Sequence, residues 1–185
     1  MKSYSQSNQD RFAMLVNNQE PGFFLDIGCS VPDWQSNSKA LLQLGWKGIC
    51  IDRQDHTREW NIYDGVQFIC ADARKLDLSA HIPKTSGHKW DVPVDYLSLD
   101  VDSCSLEALD NLLAFGISFK CATIEHDSYR FGSAMRDAQR AIMKSAEYVL
   151  VKKDVEGSGL PYEDWYIHPM LQGVGVSLEG AIAIL

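Results

Sequence analysis

The chain has 185 residues, 45% of them hydrophobic and 23% charged, the composition of a soluble globular protein. Length sets one domain over residues 1–185 as the expectation, with residues 1–20 holding a helix packed onto it. The net charge of -8 argues against a general nucleic-acid or anionic-membrane surface, and no window reaches the apolar length of a membrane span.

The first twelve residues, MKSYSQSNQDRF, lack a signal-peptide core. Five cysteines at irregular spacing match neither a metal nor a disulfide pattern. Cys50, Cys70 and Cys121 fall in strands read as buried, where cysteine acts as a small hydrophobe. A reducing, cytoplasmic compartment is the expectation.

Ser7 to Asn17 carries helical spacing, with Phe12, Leu15 and Val16 to one side and Ser5 or Ser7 as cap. Pro21-Gly22 breaks the chain before a strand at Phe23–Ile27. Ser36 to Leu44 is helical, with Ala40, Leu41 and Leu44 on one face, and Gly45 ends it. Gly48–Ile51 is a second strand, closed by Asp52. So short a strand–helix–strand unit favours a parallel pair with a right-handed crossover. Asp26 and Asp52 then share the edge at which open α/β sheets bind ligands.

The polar RQDHTREWNIYDG connects to a third strand, Val66–Cys70, before Asp72. Residues 74–93, with His81, His88 and Trp90, form an irregular loop of a length that is usually functional or disordered. Val94–Leu99 is a fourth strand. Ser103 or Ser105 caps a helix with Leu106, Leu109, Leu112 and Leu113 on its apolar face. Phe119–Ile124 is a fifth strand, leading into Glu125-His126-Asp127. Ser133–Ala146 is an amphipathic helix. Tyr148–Val151 and, after a turn at Gly157–Pro161, Trp165–Ile167 complete the strands; the tail GVGVSLEGAIAIL has no assignment.

Five successive strands end in an acid: Asp26, Asp52, Asp72, Asp100 and Glu125. Each taken alone is explained by the turn preference of aspartate. Together they make a rim of like charge that calls for hydrogen-bond donors on a ligand, a cationic ligand or a metal ion. S-adenosylmethionine has that chemistry, with ribose hydroxyls, an adenine amine, an ammonium and a sulfonium. Asp52 suits the ribose diol, Asp72 the adenine amine, and Asp26 with Asp100 the ammonium. The Gly28–Ser30 amides suit the carboxylate. The nicotinamide fingerprint G-x-G-x-x-G is missing, since Gly28 is followed by Cys29, Ser30, Val31 and Pro32.

The blocks YSQSNQD, GFFLDIG, SNS, LGWKGICID, DYLSLDVDSCSLEAL, TIEHD and EDWYIHP, in this order and spacing, resemble the FkbM-like methyltransferases over nearly the whole chain. The resemblance implies an α/β Rossmann-like methyltransferase fold. Its sheet has seven strands, mostly parallel with the last antiparallel, and helices on both faces. It also implies S-adenosylmethionine as cofactor, held by the Asp26-Ile27-Gly28 turn and Asp52, and a hydroxyl acceptor on a sugar, glycan or small natural product. This chain has Gly-Cys-Ser-Val-Pro where the family often has Gly-Ala-x-Asp-Gly. It has Asp52-Arg53 for Glu-Pro, and Asp100-Val101-Asp102-Ser103 for Asp-x-Glu-Gly.

The expected cofactor set is Asp26, Gly28, Cys29, Ser30, Asn37, Asp52, Arg53, Asp72, Ala73 and Asp100. His126 is the first candidate general base, oriented by Glu125, with Asp100 or Asp102 second. Trp165 and Tyr166 read first as core aromatics. Residues 74–93 are the expected acceptor-recognition segment. No metal is expected, for want of a two-histidine spacing. Two other classes stand beside this reading: a metal-dependent hydrolase using Asp100, Asp102, Glu125 and His126, and an inactive cofactor-binding domain.

Overall fold

The computed structural model describes residues 2–82, 94–171 and 182. Its strands are β1 (Phe23–Ile27), β2 (Lys47–Asp52), β3 (Val66–Cys70), β4 (Val94–Leu99), β5 (Phe119–Glu125), β6 (Val149–Gly157) and β7 (Leu160–Ile167). They form one sheet in the order β3-β2-β1-β4-β5-β7-β6. β1 pairs in parallel with β2 and β4, β2 with β3, and β4 with β5. β7 runs antiparallel between β5 and β6. This is the Rossmann-like methyltransferase arrangement that the resemblance implies.

The pleat sends alternate side chains to opposite faces. Leu25, Ile27, Ile49, Ile51, Leu97 and Ile124 point one way, under Leu109 and Leu112 of α4 (Ser105–Ala114) and Met143 of α6 (Ser133–Ser145). Phe24, Cys50, Tyr96, Cys121 and Trp165 point the other way. There they meet Phe12 and Val16 of α1 (Gln9–Val16), Leu41 and Leu42 of α2 (Lys39–Gln43), and Trp60 of α3 (Thr57–Trp60). A short α5 (Ser128–Phe131) follows β5. Gly48 has no side chain because the Phe24 ring passes within 2.5 Å of where a Cβ would sit.

Several local expectations change. Neither Ser5 nor Ser7 caps α1; its cap position is Asn8 in the left-handed conformation. Ser5 and Ser3 instead donate hydroxyls to the buried Asp10 carboxylate, at 3.0 and 2.7 Å. Ser105 accepts the Val101 N–H at 3.2 Å instead of capping α4. Leu44 is exposed, and Leu42 takes its place in the core. Cys70 is exposed, because β3 is an edge strand covered on fewer sides. β6 and β7 are longer than their apolar runs, closing a hairpin through Ser158 and Gly159, both with positive φ. Trp165 and Tyr166 are core residues, at 0% and 2% exposure. No helix among the described residues is long and apolar enough to cross a membrane.

Candidate functional site

The carboxyl ends of β1, β2, β3 and β4 open onto a cavity of about 330 Å³. Its lining includes Gly28, Ser30, Asp52, Arg53, Asp72, Ala73, Asp100 and Asp102, all expected from the sequence. It also includes Trp34, Gln35, Gln54, Arg74, Val101 and Cys104, which the sequence reading did not single out. Asp26, Cys29, Asn37, Glu125 and His126 are not among the lining residues.

Gly28 makes the turn at the cavity floor. Its φ is +86°, and a Cβ there would lie 1.6 Å from the Asp100 carbonyl oxygen, so only glycine is accommodated. The turn is tied down through its amides. Gly28 and Cys29 N–H donate to Ile51 O at 2.8 and 3.3 Å, and Ser30 N–H donates to Asp52 Oδ2 at 3.0 Å. Ser30 is held from the other side by the Trp60 indole, which donates to its carbonyl at 2.7 Å. The expectation that these amides bind a ligand carboxylate is therefore corrected: all three are already engaged.

Asp52 accepts two backbone amides, from Ser30 and from Gln54 at 2.8 Å, one on each oxygen. Each carboxylate oxygen has capacity for a second donor. Asp72 is gripped by Arg74, whose Nη2 and Nε donate at 2.6 and 2.9 Å and whose backbone N–H donates at 3.1 Å. The hydrogen bonds from Arg74 hold the Asp72 carboxyl at about 2. Arg74 Nη1 continues to Glu107 at 3.2 Å. The cleft thus pairs acids with guanidinium instead of presenting bare carboxylates.

Behind the floor lies a buried polar chain. Ser38 donates to Asp26 Oδ2 at 2.7 Å, Ser98 stands opposite Asp26 on β4, and Asn37 Nδ2 donates to Ser98 Oγ at 3.0 Å. Burial pushes the Asp26 carboxyl up to about 6, the two serines opposing it. Asp26 supports the turn from inside and does not reach the cavity. Cys29 packs into the core beside Leu41 and Cys50, which removes it as a ligand contact. Ser36 accepts the Lys39 N–H at 3.1 Å and so starts α2.

At the ends of β4 and β5 the acids converge. Asp100 is exposed along the cavity wall, and the desolvation around its carboxyl raises its pKa; its side chain is paired with Glu125. Glu125 is raised far enough by burial and by its acidic neighbours to stay protonated at neutral pH, and it also accepts the Asp102 N–H at 3.2 Å. Asp127, left-handed and buried, adds a fourth carboxyl. Arg130 pairs with Asp102 at 3.0 Å at the rim.

His126 does not join them, which corrects its place as first candidate base. It is 0% exposed. Its Nδ1 accepts the Ser128 N–H at 3.1 Å, so the neutral ring carries its proton on Nε2. Nε2 faces Asp164 and Asp154 at 3.7 and 3.8 Å. These three side chains have metal-ligand types and lie close together. Yet Nε2 faces them as a donor, and Arg140 already donates to both carboxylates at 2.8 and 2.9 Å. His126 is a structural residue under α6. His81, by contrast, is exposed, and His88 and most of the expected acceptor segment, 83–93, lie outside the described residues.

No family model and no curated protein matches the chain. Solved structures do. The N-methyltransferase NodS from Bradyrhizobium japonicum WM9, in complex with S-adenosyl-L-homocysteine, has a TM-score of 0.54 at 10% identity, over 88% of this chain and 86% of that one. A TehB-like SAM-dependent methyltransferase from Corynebacterium glutamicum ATCC 13032 has a TM-score of 0.53 at 12% identity, over 84% and 86%. The plantazolicin methyltransferase BpumL, in complex with S-adenosyl-L-homocysteine, has a TM-score of 0.52 at 17% identity, over 88% and 82%. At these identities the likeness is one of fold: this chain has the Rossmann-like methyltransferase fold.

Proposed function

We propose that this protein is an S-adenosylmethionine-dependent methyltransferase of the FkbM-like kind, acting on a hydroxyl of a sugar, glycan or small natural product in a reducing, cytoplasmic setting. The observation that carries the reading is the cleft itself. A cavity of about 330 Å³ crosses four parallel strand ends, with Asp72, Asp52, Gly28 and Asp100 in strand order. That volume lies within the usual range for small-ligand sites. The acceptor-rich lining matches a ligand whose polar groups are mostly donors or cations.

When bound, the cofactor supplies a methyl group on a sulfonium, an electrophile with a good leaving group. Asp52 retains capacity to accept from the ribose hydroxyls, and Asp72 from the adenine amine. Asp100 accepts the proton of the acceptor hydroxyl. Its raised pKa brings it closer to the working range of a general base. Protonated Glu125 donates to Asp100 and holds its carboxylate in place. Positioning carries much of the rate in such a displacement.

The test is transfer of a labelled methyl group to a panel of hydroxyl acceptors. Asp100→Asn should lower the transfer rate by about 10²–10⁴-fold, with cofactor affinity little changed. Full transfer by that variant would remove Asp100 as the base. A second reading, an amine acceptor, is favoured by the four carboxyl groups at the β4–β5 end, and the same panel with amines decides between them.

A further inference from the structure

The two nitrogens of His126 are unequally served. Nδ1 accepts the Ser128 N–H at 3.1 Å, while Nε2 is buried without a hydrogen-bond partner. The neutral ring therefore carries its proton on Nε2. That N–H stops short of Asp164 on β7, at 3.7 Å, and Asp154 on β6, at 3.8 Å, beyond hydrogen-bond range. A second proton on the ring would draw it onto these acids. That proton can enter only at Nδ1, the nitrogen that holds Ser128.

The charged groups facing the ring come from three elements. Asp164 and Asp154 stand on β7 and β6. Arg140 of α6 donates to Asp164 at 2.7 and 2.8 Å and to Asp154 at 2.9 Å, and Arg136 of α6 donates to Asp154 at 3.2 Å. Tyr166 adds a hydroxyl donor to Asp164 at 3.3 Å. Burial opposes the charge on Asp164, but Arg140 outweighs it and holds the pKa below the usual carboxylate range. The Glu125 and Asp127 carboxyls, beside His126 in the chain, belong to the β4–β5 acids.

Ser128 is the first residue of α5, and Asp127 at the cap position makes no side-chain bond to the helix amides. Protonated Nδ1 would set two N–H groups against each other and leave the Ser128 amide without its acceptor. From α5, Arg130 pairs with Asp102 at 3.0 Å, and Asp102 lines the cavity. We propose that His126 is a pH-sensitive latch on α5. Neutral, it pins the first turn of the helix to the end of β5. Protonated from solvent, it moves onto Asp164 and Asp154 and frees α5, and with it the Arg130–Asp102 pair at the edge of the cavity. The proton enters by way of Asp154, whose side chain is 32% exposed.

Two measurements on the wild-type protein between pH 8 and pH 5 test this. Nitrogen-15 NMR of the ring reads its protonation, and amide hydrogen exchange, corrected for its intrinsic pH dependence, reads α5. As the ring gains its second proton, the Ser128–Phe131 amides should lose about tenfold or more of their protection, with β4 and β5 unchanged. His126→Asn keeps an acceptor for Ser128 that does not titrate, and should hold α5 equally at both ends of the range. A ring still neutral at pH 5 would overturn the proposal, as would a ring that titrates while α5 stays protected. Equal loss over β4 and β5 would mark acid unfolding and overturn it too, and so would loss in His126→Asn matching wild type. If that variant does not fold, the wild-type pair of measurements decides.

Discussion

Asp72 and Arg74 illustrate what one side chain does to another at this edge. The carboxyl sits at about 2 because three donors from Arg74 favour its charged form. Arg74→Ala should return it towards the ordinary value of 3.8, read by carbon-detected NMR titration; a carboxyl that stayed near 2 would assign the shift to something else. Asp72 was legible in the sequence as a strand-end acid, but its partner was not, since two residues of loop carry no signal of where a guanidinium turns. His126 was misplaced for a different reason. Successive side chains alternate faces along a strand, so His126, just past β5, faces away from Glu125, towards the Asp154 and Asp164 carboxylates that Arg140 of α6 holds. Counting by two from Thr123 separates them without a structure.

Among the elements, α1 has a reach beyond its length. Phe12 stacks on Trp165 of β7 with ring centroids 4.7 Å apart. Gln9 of the same helix donates to Tyr162 and Glu163, at 2.6 and 3.3 Å. Phe12→Ala should lower the unfolding free energy by about 3–5 kcal/mol, measured by urea denaturation. A loss under about 1 kcal/mol would mean that α1 is not docked as described. The parallel strands were legible because each is a short apolar run, and β1, β2, β4 and β5 are buried on both faces. The β6–β7 hairpin was legible only in its apolar part. Lys152, Lys153, Asp154 and Glu156 hide the edge strand β6, where charge is tolerated because one side meets solvent.

Across the whole molecule the acids set the pH behaviour. Burial pushes Glu163 from 4.5 up to about 8 and Asp26 from 3.8 up to about 6. The folded state binds these protons more tightly than the unfolded chain. Their contribution is fully present below the unfolded values and is lost as pH rises through about 6 and about 8. Glu163→Gln should therefore raise the melting temperature at pH 9 by at least about 2–4 °C, the equivalent of about 1 kcal/mol in a chain this size, and change little at pH 4. A gain of the same size at both pH values would refute a buried neutral acid. The β1–β2 pair was legible from its short crossover, and the mostly parallel seven-stranded sheet from the resemblance; the strand order itself was not. The buried Asn37 Oδ1, which has no hydrogen-bond partner, was not legible, since an unmet hydrogen bond exists only once the neighbours are in place. The most direct test of the central claim, that the carboxyl edge of this sheet holds an adenosyl amino acid, is calorimetric titration with S-adenosylhomocysteine of wild type and Asp52→Ala. One-to-one binding by wild type, weakened about tenfold or more by loss of the Asp52 carboxylate, is expected. Absent binding, or equal affinity in the two proteins, would contradict it.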